Sequence, residues 1–279
     1  MSVFVPGHIT GFFTIENHEV SLKNGSLGVG FLLSKGVRTT ISSADELVID
    51  VNQADDTVIN EVLNIFEVET NFKITQDIQL PVGAGFGTSA ASALSLSLAL
   101  NEFLDLGYSQ ELCGQIAHKA EVNLSAGLGD VIAQTGHGLV LRTQPGAPGI
   151  GEIESFEHDV YIAWKTFGPI DTAEIIQDSH HKQVISDVGF KYLELFEENP
   201  TLENFLDFSN KFADETNLMS DEVRELVDYF NSRDDILGSS MAMLGNTVFA
   251  FAYNEDAFKN LDVEDLHIDK LNNIGIVYD

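Results

Sequence analysis

The chain has 279 residues, of which 44% are hydrophobic and 21% charged, so it can bury a substantial core as one large domain or two close lobes. Asp and Glu number 44 against 14 Lys and Arg, and the formal net charge of -30 excludes nonspecific binding to nucleic acid or to an anionic membrane surface. The only cysteine, Cys113, excludes an intramolecular disulfide and a cysteine-based zinc site.

The cellular compartment is predicted from the same composition. The acidic excess is typical of a solvated surface adapted to a salt-rich cytoplasm, where a Debye length of about 8 Å screens the charge. The most apolar predicted helix, near 90–100, contains serines and is too short to cross a bilayer. Residues 1–6 lack the basic region of a signal peptide. We therefore expect a cytoplasmic protein.

The first part of the chain is predicted to be mainly strands. Short apolar or alternating runs, separated by Gly, Asn and Asp, indicate strands at 3–5, 11–15, 29–33, 39–42, 47–51 and 72–79. The apolar spacing predicts helices over 56–66, 88–104, 110–123 and 130–134, followed by a strand at 138–143. Because the helix over 88–104 is apolar nearly all round, we expect it to be buried against a sheet.

The densest Pro and Gly segment, 144–151, predicts a boundary between an N-terminal lobe of residues 1–150 and a C-terminal lobe of residues 151–279. Beyond the boundary, helices are predicted at 172–178, 183–196, 202–215 and 221–231, and strands at 160–167, 247–253 and 274–278, with a helix before the last strand. Strands and helices do not alternate regularly, so the predicted fold class is α+β rather than a doubly wound sheet.

A glycine-rich loop lies between the strand that ends near Leu80 and the helix that begins near Thr88. Gly83, Gly85 and Gly87 allow the backbone to approach a ligand closely, and the helix N-terminus adds a partial positive charge. Together they predict a phosphate-binding loop. A P-loop would need Lys after its last glycine, and a dinucleotide loop would need Gly in place of Thr88. From the glycines alone, a tight strand-to-helix turn is an equal alternative.

The wider pattern of this loop resembles the ATP-binding motif of the GHMP kinases, which include galactokinase, homoserine kinase and mevalonate kinase. The resemblance assigns nucleotide binding to Pro81, Gly83, Ala84, Gly85, Phe86, Gly87, Thr88, Ser89 and Ala90. Phe86 and Thr88 stand where Leu and Ser are common in the family. The resemblance implies a two-lobed α+β GHMP kinase fold that uses ATP and Mg²⁺ to phosphorylate a small molecule.

Two other segments resemble variants of the remaining family motifs. Residues 5–13 read Val-Pro-Gly-His-Ile-Thr-Gly-Phe-Phe, and residues 238–249 begin with a Gly/Ser turn that precedes a strand. Both depart from the common forms and are similar to the version found in the archaeal branch of pantoate kinases, which implies pantoate as the small-molecule substrate. Another small hydroxy acid or alcohol, such as shikimate, homoserine or mevalonate, is one alternative. A noncatalytic ligand sensor with the same fold is the other.

The resemblance also assigns the chemistry. Asp130 follows a glycine turn and takes the place of the family's Asp that orients or deprotonates the acceptor hydroxyl, and its alternative is an ordinary helix N-cap. Glu121 is identified as the magnesium-binding Glu and is paired with Ser89, since Mg²⁺ prefers hard oxygen ligands. The alternative for Glu121 is a solvated helix face.

The predicted substrate residues are His8, Thr10, Arg142, Ser239 and Ser240. Arg142 offers a planar fork that matches a carboxylate, and the alternative is that it alternates outward on its strand. An isolated histidine such as His8 is more often structural than catalytic. The His pair at 180–181 lacks the spacing of a metal site, so we expect no transition metal. The sequence leaves a homodimer open.

Overall fold

The computed structural model describes residues 1–68, 71–168 and 179–279, with side chains described from residue 181 onward in the last range. Two β-sheets and the helices packed against them make up this part of the chain. The predicted α+β class is confirmed. No helix within the described ranges is long and apolar enough to cross a membrane.

The first sheet, as far as the chain is described, has seven strands: β1 (Ser2–Phe13), β2 (Gly28–Ser43), β3 (Val48–Val51), β4 (Phe72–Ile78), β5 (Leu139–Gln144), β6 (Glu152–Phe156) and β11 (Val277–Tyr278). β1 and β2 run antiparallel, and β11 closes the sheet on the other side of β1. One half of β2 pairs with β4, which pairs in parallel with β3. The other half pairs with β5, which pairs with β6.

β1 and β2 are longer than predicted. The predicted strand at 3–5 is part of β1, the one at 11–15 overlaps the end of β1 at Phe13, and the next two predicted strands are parts of β2. The pairing of β1 with β2 shifts register just after Pro6 and again between Thr10 and Phe12. Such bulges accommodate Pro and Gly inside a continuous strand, so these residues do not end β1.

The second sheet is antiparallel throughout, with the order β10-β7-β9-β8. Its strands are β7 (Tyr161–Thr166), β8 (Gly238–Met241), β9 (Thr247–Ala252) and β10 (His267–Lys270). The sequence predicts a turn at the position of β8 and predicts neither β6 nor β10. These three strands have only four or five residues each, which is too short for alternation to distinguish them from loops.

The described helices are α1 (Thr57–Phe66), α2 (Thr88–Leu104), α3 (Gln110–Leu124), α4 (Asp130–Ala133), α5 (Ser179–Glu198), α6 (Leu202–Glu215), α7 (Asp221–Asn231) and α8 (Asp256–Lys259). α2, α6 and α7 have the predicted bounds. Ser109, Thr201 and Ser220 accept a backbone N–H at the starts of α3, α6 and α7, which fixes where these helices begin. The predicted helix at 172–178 lies outside the described residues.

α2 is the buried helix of the first sheet, as predicted. Residues 90–101 are all buried, and α2 packs against β1, β2 and α3. Its polar side chains find partners in the sheet, because Ser92 donates to Gln76 of β4 at 2.7 Å and Ser95 lies 2.7 Å from Thr39 of β2. These contacts hold the helix, and therefore its N-terminus, in one position.

The two sheets share one hydrophobic core. Phe31 of β2 contacts Phe249 and Phe251 of β9, with ring centroids 5.0 and 4.8 Å apart. The predicted lobe boundary at 150 falls inside the β5–β6 hairpin. β11 follows all strands of the second sheet in the chain but pairs with β1 of the first sheet. The Pro/Gly-rich segment is therefore a turn within a sheet, and a division at 150 does not separate the two sheets.

Candidate active site

A cleft of about 500 Å³ opens where the glycine-rich loop meets the turn between α3 and α4. Its walls also include the C-terminal end of β1, the segment that joins β1 to β2, one residue of β5, and the turn between β8 and β9. The cleft therefore brings together parts of the chain that are far apart in sequence. Glu121, Asp130 and Arg142 line this cleft together with the loop, so the cleft is the candidate active site.

The glycine-rich loop forms one wall. Gly83, Gly85 and Gly87 have φ angles of 73°, 87° and 59°, a region in which a residue with a Cβ is strained. Gly87 is the N-cap of α2, and the first two residues of the helix line the cleft. The loop backbone and the positive end of a 17-residue helix therefore meet at one place, which is the arrangement that binds phosphate.

The residues between these glycines anchor the loop in the core. Phe86 is buried and contacts Trp164 edge-on, with ring centroids 4.8 Å apart. The Ala84 carbonyl accepts a hydrogen bond from Thr247 Oγ1 at 2.8 Å. The predicted nucleotide-binding residues that line the cleft are Gly83, Gly85, Phe86, Gly87, Thr88 and Ser89. The other three, Pro81, Ala84 and Ala90, do not line it.

Glu121 of α3 faces the start of α2. Ser89 Oγ donates to Glu121 Oε1 at 2.5 Å, and only 2% of Glu121 is exposed, so the alternative of a solvated helix face does not apply. Burial raises the pKa of Glu121 to about 7. The hydrogen bond from Ser89 lowers this pKa, and the nearby negative charge of Asp130 raises it further. A buried carboxylate without a cation is unfavourable. The position of Glu121 is therefore suited to a positive ion.

Asp130 is the first residue of α4, and the N-cap position before it is occupied by Gly129, so Asp130 is not the N-cap of this helix. Asp130 Oδ1 lies 2.6 Å from His8 Nδ1, and 30% of the Asp130 side chain is exposed to the cleft. Burial alone would raise the pKa of Asp130, but the hydrogen bond from His8 and the positive charge of Arg142 outweigh it and hold the pKa below its usual value. The cleft therefore contains an ionised carboxylate, as a general base requires.

Arg142 of β5 is 2% exposed and turns into the cleft, which contradicts the outward-facing alternative. Its Nε donates to the Ser26 carbonyl at 3.2 Å, and a terminal nitrogen donates to Thr10 Oγ1 at 3.4 Å. Among the described residues, no carboxylate lies within 4.0 Å of the guanidinium. Burial lowers the pKa of Arg142 to about 10, so it remains charged at neutral pH. An unpaired buried cation of this kind is suited to an anionic ligand.

The other predicted substrate residues divide into two groups. Thr10 lines the cleft. His8 does not, because it is fully buried behind Asp130. Ser239 and Ser240 do not line it either, since both are buried in β8, where Ser239 Oγ donates to the Phe249 carbonyl at 2.8 Å. The pairing of β8 with β9 places these serines in the core, so the geometry gives no support to a substrate contact.

Three residues of the site are not identified by the sequence analysis. Gln134 Nε2 donates to the Gly87 carbonyl at 2.8 Å and joins α4 to the loop. Ser26 holds Arg142, and Gly127 leaves room for two carboxylates, since a Cβ there would lie 3.1 Å from Glu121 Oε2 and 3.4 Å from Asp130 Oδ2. Only Gln134 has a sequence pattern that could have indicated it, because it lies one helical turn after Asp130.

Comparison with known proteins gives this site a family. The sequence model described as GHMP kinases N terminal domain matches residues 56–138, which contain the glycine-rich loop, Glu121 and Asp130. A solved structure described as a phosphotransferase related to the CoA biosynthesis pathway superposes with a TM-score of 0.85 at 31% identity, covering 99% of this chain and 98% of that one.

Two relatives are similar over most of their length. A protein named pantoate kinase from Methanocaldococcus jannaschii is 36% identical over 258 residues, which are 91% of this chain and 93% of the relative. Another protein of that name, from Thermococcus kodakarensis, is 34% identical over 92% of this chain and 89% of the relative. Because these similarities extend over the whole fold and the family match carries the loop and both acidic residues, the chain belongs to the GHMP kinase family.

Proposed function

We propose that the protein is a pantoate kinase, which transfers the γ-phosphoryl group of ATP to pantoate and forms 4-phosphopantoate and ADP. The observation that carries this proposal is the presence, in one cleft, of a glycine-rich loop at a helix N-terminus and a buried guanidinium that has no carboxylate within 4.0 Å among the described residues. The first is suited to a nucleotide and the second to a small carboxylate. The two relatives described above, both named pantoate kinase, support pantoate as the acceptor.

The nucleotide is held at the loop. Its phosphates meet the backbone of residues 83–87 and the N-terminus of α2, which attract anions without a charged side chain. This matters in a chain whose formal net charge is -30, because the overall field repels ATP. Local devices at the loop therefore provide the attraction that the surface does not.

Mg²⁺ is the cofactor that fits beside the loop, with Ser89 and Glu121 as its protein ligands. Both oxygens are hard and lie 2.5 Å apart, and no Lys, Arg or His of the described residues forms an ion pair with the buried Glu121 carboxylate. The described residues contain no group of three or more His, Cys, Asp and Glu side chains that could hold a metal alone. This suits Mg²⁺, which takes one or two protein ligands and completes its shell with phosphate and water. When bound, it neutralises charge on the phosphates.

The acceptor lies between Arg142 and Asp130. Arg142 receives the carboxylate of pantoate, and Thr10 and Ser26 keep the guanidinium in place. An apolar wall that includes Phe13, Met243 and Leu244 is available for the two methyl groups. Phe12, in contrast, is fully buried in the core and does not reach the cleft.

Asp130 then acts as the general base. The hydroxyl oxygen of the acceptor attacks the γ-phosphorus, its proton moves to the Asp130 carboxylate, and the bond to the bridging oxygen breaks to release ADP. Phosphoryl transfer needs little covalent help from protein, so positioning and one proton acceptor are sufficient. A noncatalytic sensor would not need an ionised carboxylate at this position, which is why we favour an enzyme.

The test is an acceptor panel. ADP release is measured with ATP, Mg²⁺ and each of pantoate, pantothenate, mevalonate, shikimate and homoserine, and pantoate is expected to have the highest kcat/KM. Pantothenate is the sharpest comparison, since its carboxylate lies in a different place from that of pantoate. If another acceptor is phosphorylated efficiently while pantoate is inert, the substrate assignment is wrong and the kinase assignment stands. If no acceptor in a wider panel of small alcohols releases ADP, the sensor alternative gains the support.

A further inference from the structure

His8 is a buried residue of β1 that touches Asp130 but not the cleft. Its side chain is fully buried, and its Nδ1 lies 2.6 Å from Asp130 Oδ1, although the two residues are 122 positions apart in the chain. The His8 backbone N–H donates to the Phe86 carbonyl of the glycine-rich loop at 2.9 Å. One residue therefore connects the phosphate-binding loop, through its main chain, to the proposed base, through its side chain.

The rest of the His8 ring is not used for binding. Its Nε2 is buried and has no hydrogen-bond partner among the described residues. Gly30 of β2 leaves the space for this edge of the ring, since a Cβ there would lie 2.3 Å from Nε2. Burying an unpartnered ring nitrogen is unfavourable. The contact with Asp130 is therefore the only polar contact of the ring among the described residues, and it offsets part of this cost.

Another buried histidine shows the contrast. His118 of α3 is 1% exposed, and its Nε2 lies 3.2 Å from the Ser21 carbonyl. That contact joins a helix to a backbone segment outside the site and is sufficient for a structural role. His8 instead reaches an ionisable side chain that lines the cleft.

Titratable groups approach Asp130 from three elements. His8 comes from β1, Arg142 from β5 and Glu121 from α3, and only His8 makes a direct hydrogen bond to Asp130. Burial lowers the pKa of His8, while the hydrogen bond with Asp130 and the charge of Asp130 act in the opposite direction. An ionised carboxylate can only accept a hydrogen bond, so His8 Nδ1 is the donor in this contact. Asp130 Oδ1 is occupied by this bond, while Oδ2 is on the side of Gly127, in the cleft wall.

We infer that His8 is the positioning residue of Asp130. It fixes the carboxylate so that Oδ2 faces the acceptor hydroxyl and takes its proton. Because His8 also contacts the glycine-rich loop, it holds this oxygen at a fixed position relative to the loop. His8 itself neither gains nor loses a proton in the reaction. This inference rests on the proposed role of Asp130 as the base.

The experiment compares three substitutions at His8. In His8→Asn the side-chain amide nitrogen is bonded to Cγ, as Nδ1 is in histidine, so it can still donate to Asp130 Oδ1. His8→Gln carries its nitrogen one bond further out, and His8→Leu has no donor. Misplacement of a reacting group by 1 Å can cost about 100-fold in rate, so loss of a positioning contact should lower activity by roughly 10- to 100-fold. We expect that loss in kcat for the Gln and Leu variants, an unchanged KM for ATP, and near-normal kcat for His8→Asn.

Asp130→Asn is measured in parallel, and ATP binding of each variant is followed by calorimetry. Normal kcat in the Leu and Gln variants, with Asp130→Asn inactive, would overturn the role of His8 and leave the proposed function intact. Equal losses in all three His8 variants, accompanied by weaker ATP binding, would show a structural role only and would also overturn it. Near-normal turnover of Asp130→Asn would reject the base itself, and the His8 inference with it. If the Leu variant fails to fold, the difference between Asn and Gln decides.

Discussion

The two proposed ends of the cleft are built from different parts of the chain. At the proposed nucleotide end the lining comes from one continuous segment, the glycine-rich loop and the start of α2 over residues 83–89. At the proposed acceptor end it comes from side chains of β1, β5 and the α3–α4 turn, among them Thr10, Arg142 and Asp130. Their charges differ as well, since the only described Lys or Arg that lines the cleft, Arg142, is at the acceptor end.

This difference has a consequence for specificity. A backbone loop recognises phosphate, which all nucleotide triphosphates share, so it discriminates little among ligands. On the proposed function, the acceptor end would fix the position and identity of the substrate through a guanidinium, a base and an apolar wall, each of which can change by a single substitution. We therefore expect substitutions at the acceptor end to change kcat and the acceptor KM, and substitutions at the nucleotide end to change the requirement for ATP and Mg²⁺.

The largest effect is expected at the base. Asp130→Asn keeps the size and the hydrogen-bonding capacity of the side chain but removes its basicity, so kcat should fall by about 10²- to 10⁴-fold. The KM for ATP should change little, because Asp130 is proposed to act on the acceptor hydroxyl and not on the nucleotide. Steady-state kinetics and calorimetric ATP titration measure both quantities. Turnover within a few-fold of the wild type would leave the acceptor end without its proposed base.

Arg142 tests the acceptor end in the opposite way. Hydrogen bonds to charged groups contribute about 1.5–3 kcal/mol, so Arg142→Ala should raise the KM for pantoate by roughly 10- to 100-fold while leaving the KM for ATP unchanged. Arg142→Lys is the matched control, since it keeps the charge and loses the planar fork. An intermediate KM is expected for the Lys variant. A fall in kcat alone, with an unchanged acceptor KM, would assign Arg142 to positioning of the reacting hydroxyl instead.

The contrast between the two ends also explains what the sequence predicts. The loop and α2 are identified because glycine spacing and helical periodicity are local patterns, and α6 and α7 are found with their bounds because Thr201 and Ser220 cap them. The roles of Asp130 and Glu121 come from family resemblance, since an Asp at the start of a helix has an ordinary alternative as an N-cap. They remain predictions that the geometry supports.

The parts that sequence cannot predict depend on long-range pairing. The contact between His8 and Asp130 joins residues 122 positions apart, and no local pattern indicates it. Ser239 and Ser240 illustrate the opposite error, because a Gly/Ser-rich segment suggests a turn at a ligand, whereas pairing with β9 buries it as a strand. The merging of predicted strands into β1 has the same origin, since pairing with β2 continues through the register shifts after Pro6 and between Thr10 and Phe12.

Glu121 tests the metal site at the nucleotide end. Glu121→Gln keeps the shape but removes the charge, and even a supporting contact to a metal ligand is worth about 10- to 100-fold, so the Mg²⁺ concentration for half-maximal activity should rise at least about tenfold. Ser89→Ala should raise it less, because it removes a neutral ligand. Titration of Mg²⁺ at saturating ATP measures both. An unchanged requirement in the two variants would exclude this pair as the magnesium ligands.

The raised pKa of Glu121 predicts how two properties depend on pH, the stability of the metal-free protein and the requirement for Mg²⁺. The pKa of Glu121 is raised from 4.5 to about 7 in the folded protein, so the unfolded chain loses this proton first as pH rises. The metal-free protein should therefore lose stability between these two values, and Glu121→Gln should remove that loss. Conversely, Mg²⁺ competes with the proton, so the wild type should need more Mg²⁺ as pH falls below about 7. Thermal unfolding and Mg²⁺ titration at several pH values test each sign.

The smallest effect is expected at the junction of the two ends. Gly87 has a φ of 59°, and a Cβ there would lie 3.0 Å from Gln134 Nε2 and 3.1 Å from Asp130 Cγ. A left-handed conformation costs a residue with a Cβ about 1–2 kcal/mol, which corresponds to a fall of a few degrees in the unfolding midpoint of Gly87→Ala. Gly107→Ala is the matched control, because Gly107 has a φ of 67° and nothing within 4 Å of its Cβ position. Both variants should lose similar stability from the backbone, but only Gly87→Ala should also lower kcat and raise the KM for ATP, because its Cβ displaces the loop against the base. Equal kinetics in the two variants would mean that the position of the loop at Gly87 does not affect Asp130, and that this contact does not couple the two ends of the cleft.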